Sequence, residues 1–442
     1  MSMCKKRAWE LLNDLSFVRV AGTEAEVKAA NIIKEHCEKA GIPAVIEDFE
    51  IDTVEIDVAT LEVLEPEYHA YPVIGIGKTP NTPEDGVIGG FKYIEEALDA
   101  NLTDVEGKIV LLQGRVAPDT YEKLAKKGAV GYIAIAGNLY EDESIKNELR
   151  PSNAFGKKNP LPGLKIHISE AEKLVLQKPT EVKMVLHSEQ KKATAHNIVA
   201  TIEGTDLKDE VIAFSAHCDS VPYSKGVWDN ATGSVTIAEL MHYFKEKGTR
   251  RTMKFIWCGA EEIGLVGSRE YCKAHEKELE NYIFNINFDM TGVTIGKEVC
   301  CVSASEDTLH AIEFMAKINN YPVKADLGTY SSDSTSFAGA GVPACTFARL
   351  AAQGGAQIHN HNDTIDHLDP DSFMITCNFV ATFAESIAIA PVNPIPRKFA
   401  DSVKEKLEEG KKRRAAMEAK EKEEEKKDEK PEEKKEEKKE EK

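Results

Sequence analysis

Apolar positions recur with helical spacing from residue 5 to residue 39. Ala8, Leu11, Leu12 and Leu15 fall on one face of a first helix, and Val27, Ala30, Ile33 and Cys37 on one face of a second. Thr23 followed three residues later by Glu26 has the form of a capping box, and Gly41 stands where the second helix should stop. Val45–Ile56 then alternates apolar and acidic residues, as a half-exposed strand does. Between residues 57 and 186 the pattern breaks into short strand-like runs (Val58–Val63, Lys108–Leu112, Ala129–Ala136) separated by Pro- and Gly-bearing turns. Gly107–Arg115, Tyr121–Lys127 and Gly128–Ile135 together predict a β-α-β unit. From His196 the longer apolar strands resume, at His196–Gly204 and Glu210–Ala216. A helix is expected from Asp229 to Lys245, its face carrying Val235, Ala238, Leu240, Met241 and Phe244. Strand, loop and helix then alternate to about Ala390, where Pro391, Pro394 and Pro396 close the patterned region.

This alternation predicts an α/β fold with one discontinuous domain, 1–56 with 187–396, and an inserted, smaller β-rich α/β domain over 57–186. Residues 397–442, dominated by Lys and Glu blocks, lack the apolar content to bury a core and are expected to be disordered or a single solvated helix. The chain has 442 residues, 42% of them hydrophobic, and a formal net charge of −19. From Asp401 on there are 16 Lys/Arg and 17 Asp/Glu, a net of −1, which leaves −18 on the body. So acidic a body repels phosphate backbones and anionic headgroups, which argues against nucleic acid or a membrane surface as partner. The first ten residues are basic without the apolar stretch of a signal peptide, and no window approaches the apolar run needed to span a bilayer. Nine scattered cysteines with no CxxC pair read as reduced thiols and argue against a thiolate zinc site. The expectation is a soluble, cytoplasmic protein; the subunit count is left open.

The chemistry is concentrated between Ser215 and Gly292. Of Ala216-His217-Cys218-Asp219-Ser220, Trp228-Asp229-Asn230, Ala260-Glu261-Glu262-Ile263-Gly264 and Asn287-Phe288-Asp289-Met290, most directly follow or closely trail an apolar run of strand length (Val211–Phe214, Phe255–Trp257, Tyr282–Ile286). Acidic and imidazole groups therefore gather at the carboxyl ends of neighbouring strands, the edge at which open α/β sheets bind ligands. Carboxylates and imidazoles without thiolates suit zinc, manganese or cobalt. His217, Asp229, Glu262, Asp289 and a later histidine are too many for one ion and imply two, bridged by one aspartate at the spacing of two-metal hydrolases. Two divalent ions, three carboxylates and one hydroxide make a neutral cluster that can be buried. Glu261, beside a ligand, is suited to take a proton from water and pass it to a leaving amine. Asp219, two residues from His217, is placed to hold the other imidazole nitrogen.

Ala216–Ser220, Trp228–Gly233, Gly259–Ser268, Asn287–Gly292 and Ser332-Asp-Ser-Thr-Ser-Phe337 resemble, in order, the signatures of the co-catalytic zinc aminopeptidase family, which includes bacterial leucyl aminopeptidases and glutamate carboxypeptidase II. The likeness covers residues 5–55 and 190–395, and the segment 57–186 resembles the protease-associated module inserted in several peptidases. The resemblance implies a three-layer α/β/α sandwich with a mixed central sheet and hydrolysis of a terminal peptide bond. By position it implies two zinc ions, one on His217 and Asp289, the other on Glu262 and a later His, with Asp229 bridging and Glu261 as base. It also implies a cis bond between Asp229 and Asn230. The later His is read as His359, four residues before Asp363-Thr364, although the family usually has Thr or Ser where Asn360 stands; His361 is the alternative. Tyr330 is chosen as the residue that steadies the oxyanion, with a packing role beside it. Arg349 reads either as surface or as a reader of a substrate carboxylate. His167, His187, His196, His242, His275, His310 and His367 read as structural or surface residues. The expected activity is release of an N-terminal residue from a peptide substrate. Three alternatives stay open: a carboxypeptidase on the same scaffold, a glutaminyl cyclase-like acyltransferase with one zinc, and a non-catalytic peptide-binding protein.

Overall fold

A computed structural model describes residues 3–77, 79–114, 116–137 and 161–428; Arg115 and the tail beyond 428 lie outside the described residues. It divides into two compact units, residues 1–52 with 192–409 and residues 53–191 with 410–442.

The first unit opens with α1 (Lys5–Asp14) and α2 (Glu24–Lys39). The Thr23 hydroxyl accepts the Glu26 N–H at 3.4 Å, and Gly41 ends the second helix at φ +70°. β1 (Ala44–Glu65) continues past the boundary, longer than the alternating stretch that predicts it. In the second unit follow β2 (His69–Tyr71), β3 (Val73–Gly75), β4 (Val87–Tyr93), β5 (Lys108–Gln113), α3 (Pro118–Lys126), β6 (Gly131–Ala136), β7 (Gly163–His167), α4 (Ile168–Gln177) and the first half of β8 (Glu181–Ile202), whose residues from Lys192 on belong to the first unit. β4, β5, β6 and β7 are parallel neighbours, flanked by antiparallel β8 and β3. Alternate residues of β5 pack on opposite faces, Ile109 and Leu111 with Leu164 and Leu174, Val110 and Leu112 with Tyr121 and Leu124.

The first unit resumes with β9 (Leu207–His217), α5 (Thr232–Lys247), β10 (Arg251–Cys258), α6 (Val266–Ala274), β11 (Tyr282–Phe288), β12 (Gly296–Ser303), α7 (Glu306–Ile318), β13 (Lys324–Leu327), α8 (Ser334–Gly339), β14 (Ala344–Ala351), α9 (Pro370–Ile389) and α10 (Asp401–Asp428). Its sheet runs β13-β12-β14-β11-β9-β10-β8. The four central strands β14, β11, β9 and β10 are parallel, while β8 and β12 run antiparallel to their neighbours, so the sheet is mixed. β9 shows why its run is apolar throughout: Ile212, Phe214 and Ala216 enter one core, Val211 and Ala213 the other. The first core also takes residues of α1, α2, α5, α7 and α9, the second those of α6, α8 and α10. The architecture is the three-layer α/β sandwich.

Two details depart from the sequence reading. Ala400, just before α10, and Val403 and Leu407 within it are buried in one cluster with Tyr271 and Phe337, so the charged tail begins with apolar residues that dock before the solvated part starts. Against the expectation that no window approaches the apolar run of a membrane span, α9 has a mean hydropathy of 1.4 over an 18-residue window and is long and apolar enough to cross one. It is 67% buried inside the unit, as a core helix is.

Candidate active site

The parallel strands deliver the polar clusters to one edge. His217 is the last residue of β9 and sits in register with Cys258, the last of β10. Glu261 and Glu262 lie in the turn after Cys258, Asp289 follows β11 directly, and His359 stands in the loop after β14. Asp229 lies in the tight turn Val227–Ala231 that leads into α5, and its bond to Asn230 is cis. Asn230 ties this turn to the end of β11: its amide donates to the Phe288 carbonyl at 2.8 Å, and its oxygen accepts the N–H groups of Gly233 (2.9 Å) and Met290 (3.1 Å). A Cβ on Gly233 would meet the Phe288 carbonyl at 2.6 Å, so only glycine allows this approach of helix to strand.

Among the described residues the side chains form three possible ligand triads: His217, Glu261 and Glu262, and two that share Asp229. Of the latter two, one is His217, Asp229 and Asp289, the other Asp229, Glu262 and His359. Asp229 Oδ1 is 3.1 Å from His217 Nε2, and its Oδ2 is 2.9 Å from His359 Nε2. His217 Nε2 stands 3.6 Å from Asp289 Oδ1, and His359 Nε2 is 3.2 Å from Glu262 Oε2. Glu261 borders both imidazole and carboxylates, its Oε2 at 4.0 Å from His217 Nε2. His361 is exposed and outside these groups. Four non-glycine residues of the loops that carry the triads, Ala260, Leu265, Met290 and His359, hold left-handed backbones at φ between +54° and +65°. Such strain collects at functional sites, where surrounding structure enforces it.

The donor set fits divalent cations. Three carboxylates and two imidazoles converge, and Asp289 Oδ1, buried, accepts no hydrogen bond among the described residues. The electrostatics carry the same strain. Burial pushes the Glu262 carboxyl up to about 7, with the Asp229 charge adding to it. Burial and the Glu262 and Asp289 charges likewise raise Glu261, against the opposing pull of His217. Burial alone would lower His359, but its bonds to Asp229 and Glu262 outweigh it and bring the imidazole to about 10.

Other residues named from the sequence fall into place unevenly. Asp219 is 3.5 Å from His217 Nδ1, a long contact, and its two oxygens accept the N–H groups of Glu261 (3.1 Å) and Glu262 (3.2 Å). It therefore positions the Glu261-Glu262 turn as much as the imidazole. Tyr330, half-buried between β13 and α8, has its phenol raised by burial and then by the Asp289 and Asp229 charges. Arg349 points elsewhere: it donates to the Val293 carbonyl at 2.7 Å and pairs with buried Glu298 at 3.1 Å. His196, read as structural, bonds Glu26 at 2.7 Å from across the chain. Two contributors had no sequence signal of their own. Arg19, fully buried, donates to the carbonyls of Leu15, Phe17, Cys218, Lys225 and Gly226 and so pins the loop between His217 and Asp229. Asp363, which served only to count back to His359, accepts the N–H groups of Trp228 and Asp229.

Residues 197–384 match the model of peptidase family M28. Among curated relatives, aminopeptidase YwaD of Bacillus subtilis is 30% identical over 298 residues, 65% of this chain and 62% of its own length, so the chain spans less than two thirds of that relative. Carboxypeptidase Q of Mus musculus is 24% identical over 402 residues, 86% of this chain and 84% of its own. The fold is that of a zinc aminopeptidase from Bacillus subtilis, which superposes with a TM-score of 0.75 at 24% identity over 90% of this chain and 98% of that one. M28 thus joins aminopeptidases and carboxypeptidases on one metallopeptidase scaffold.

Proposed function

We infer that the chain is a two-metal exopeptidase that releases the N-terminal residue of peptides. The observation that carries the reading is the pair of triads joined by the two oxygens of Asp229. His217 and Asp289 would hold one ion and Glu262 and His359 the other, with Asp229 between them; zinc suits this set. When bound, the pair polarises the scissile carbonyl and makes water acidic enough to attack at neutral pH.

The chain's own groups do the rest. Glu261, outside the pair of triads that share Asp229, takes the proton of the attacking water and delivers it to the departing amine. Asp219 fixes the backbone of Glu261 and Glu262 and thereby aims the base. Tyr330 donates to the oxygen on which negative charge develops. The buried acidic cluster suits a substrate ammonium, in keeping with the −18 body charge.

The likeness to carboxypeptidase Q over most of both lengths favours a second reading, a carboxypeptidase. Arg349, the cation named for it, is engaged by Glu298 and two backbone carbonyls. Cleavage of free, N-acetylated and C-terminally amidated peptides, with and without a chelator, separates the two. An aminopeptidase cleaves free and amidated peptides, spares N-acetylated ones and stops with the chelator. Cleavage of N-acetylated peptides that amidation blocks establishes the carboxypeptidase instead, and chelator-insensitive activity refutes the metal centre.

A further inference from the structure

We propose that Asp363 is a positioning residue of the metal centre, holding the shared Asp229 by the two peptide N–H groups that lead into it. This deepens the two-metal reading above and rests on it. Asp363 is 1% exposed, and its two oxygens accept main-chain N–H groups: Oδ1 that of Trp228 at 2.7 Å and Oδ2 that of Asp229 at 3.1 Å. Four residues earlier on the same loop, His359 Nε2 stands 2.9 Å from Asp229 Oδ2. The loop thus grips Asp229 twice, at its main chain and at its carboxylate.

The loop is built to keep these two grips at a fixed separation. Asp363 N–H donates to the Asn360 carbonyl at 3.3 Å, and the Asn360 side-chain oxygen accepts the Asn362 N–H at 2.9 Å. His359 itself holds φ +61°, so its orientation depends on the turn that follows. The Asn360 side chain closes this turn at the position where the family resemblance leads one to expect Thr or Ser. A buried carboxylate is a costly way to satisfy two N–H groups unless their direction matters. Only a carboxylate accepts at both oxygens; an amide there would turn an NH₂ group toward one of the two N–H donors. Losing one grip lets the Asp229 backbone rotate, and its two oxygens then no longer address one triad each.

The test is metal binding by the full chain, measured by dialysis against Zn²⁺ with metal counting and by Co²⁺ absorption spectra, in wild type and Asp363→Asn. Wild type should bind two ions. Asp363→Asn, folded by circular dichroism, should hold at least one of them about 10–100-fold more weakly. Its Co²⁺ spectrum should change and its kcat fall while KM stays near wild type. Unchanged affinities and spectra, accompanied only by a lower melting temperature, mean a plain structural role and overturn the proposal. If Asp363→Asn does not fold, Asp363→Glu, which keeps two acceptors displaced by one methylene, is read in the same way. Several-fold weaker binding supports the proposal, and wild-type binding overturns it. A wild-type protein that binds no ion refutes the two-metal reading itself, and that is seen before any variant is measured.

Discussion

Replacing Glu261 by Gln removes one charge and one proton acceptor while leaving the shape of the site almost untouched. The turn that carries residue 261 is held by its backbone, through the N–H to Asp219 Oδ1 at 3.1 Å, and this bond does not depend on the side chain. The side chain is about 10% exposed and borders Glu262 and Asp289, whose charges raise its pKa, so the neutral amide relieves repulsion. The metal-free variant should therefore melt at or slightly above the wild-type temperature. Catalysis should suffer in proportion to what a positioned base contributes, about 10²–10⁴-fold. At 1.36 kcal/mol per decade this is roughly 2.7–5.4 kcal/mol of barrier. The loss belongs in kcat, with KM near wild type, because the proton moves only in the transition state. The assay is steady-state hydrolysis of an unblocked aminoacyl substrate by protein whose metal content has been counted. A variant that has lost an ion would make Glu261 a ligand, consistent with its proximity to His217 and Glu262, and would refute the division of roles argued above. Near-normal turnover by a fully loaded variant would refute it from the other side.

His359→Ala should lose one of two ions and most activity, whereas His361→Ala, at an exposed position outside the triads, should keep both; metal counting on the two proteins decides it. Arg349→Ala leaves the buried Glu298 carboxylate with only the Tyr321 and Thr376 hydroxyls. It should cost about 3 kcal/mol of stability in denaturant melts without altering KM for peptides with a free carboxyl terminus. A selective rise in that KM would assign Arg349 to the substrate. His36 and His242 share a bond of 3.0 Å between Nε2 atoms, with Arg7, Lys39, Lys245 and Asp14 as charged neighbours. Burial, then the Arg7 charge, lowers them to about 4 and about 3. The unfolded chain therefore binds more protons as pH falls from about 6.5 towards 4, and stability falls over that window. His242→Gln should flatten the decline in melting temperature between pH 7 and 5, and an unchanged slope would show that the pair does not control it.

Residues near one another in sequence determined a good deal by themselves. The apolar runs ending in His217, the Glu261-Glu262 pair and Asp289 declared parallel strands with chemistry at their carboxyl ends, because strand period and turn residues are local properties. The N-cap Thr23 and the stop at Gly41 were legible for the same reason, although the Glu26 carboxylate, expected to close a capping box, bonds His196 instead. What the chain could not declare were contacts between distant segments that share no local pattern. Arg19 reaches carbonyls some 200 positions away, Glu26 meets His196, and Asp363 meets the Asp229 turn 134 positions back. Acceptance by or donation to a backbone group leaves no complementary side chain to read, so Arg19 and Asp363 carried no signature. The destination of Arg349 was likewise undecidable locally, since a strand-end arginine looks the same whether it faces substrate or Glu298. The tail shows the same limit: Ala400, Val403 and Leu407 are too few apolar residues to announce a helix that docks, and only the waiting surface of Tyr271 and Phe337 turned them into core. Local periodicity chose the elements; the tertiary fold, by bringing remote loops to one sheet edge, chose which polar groups could meet there.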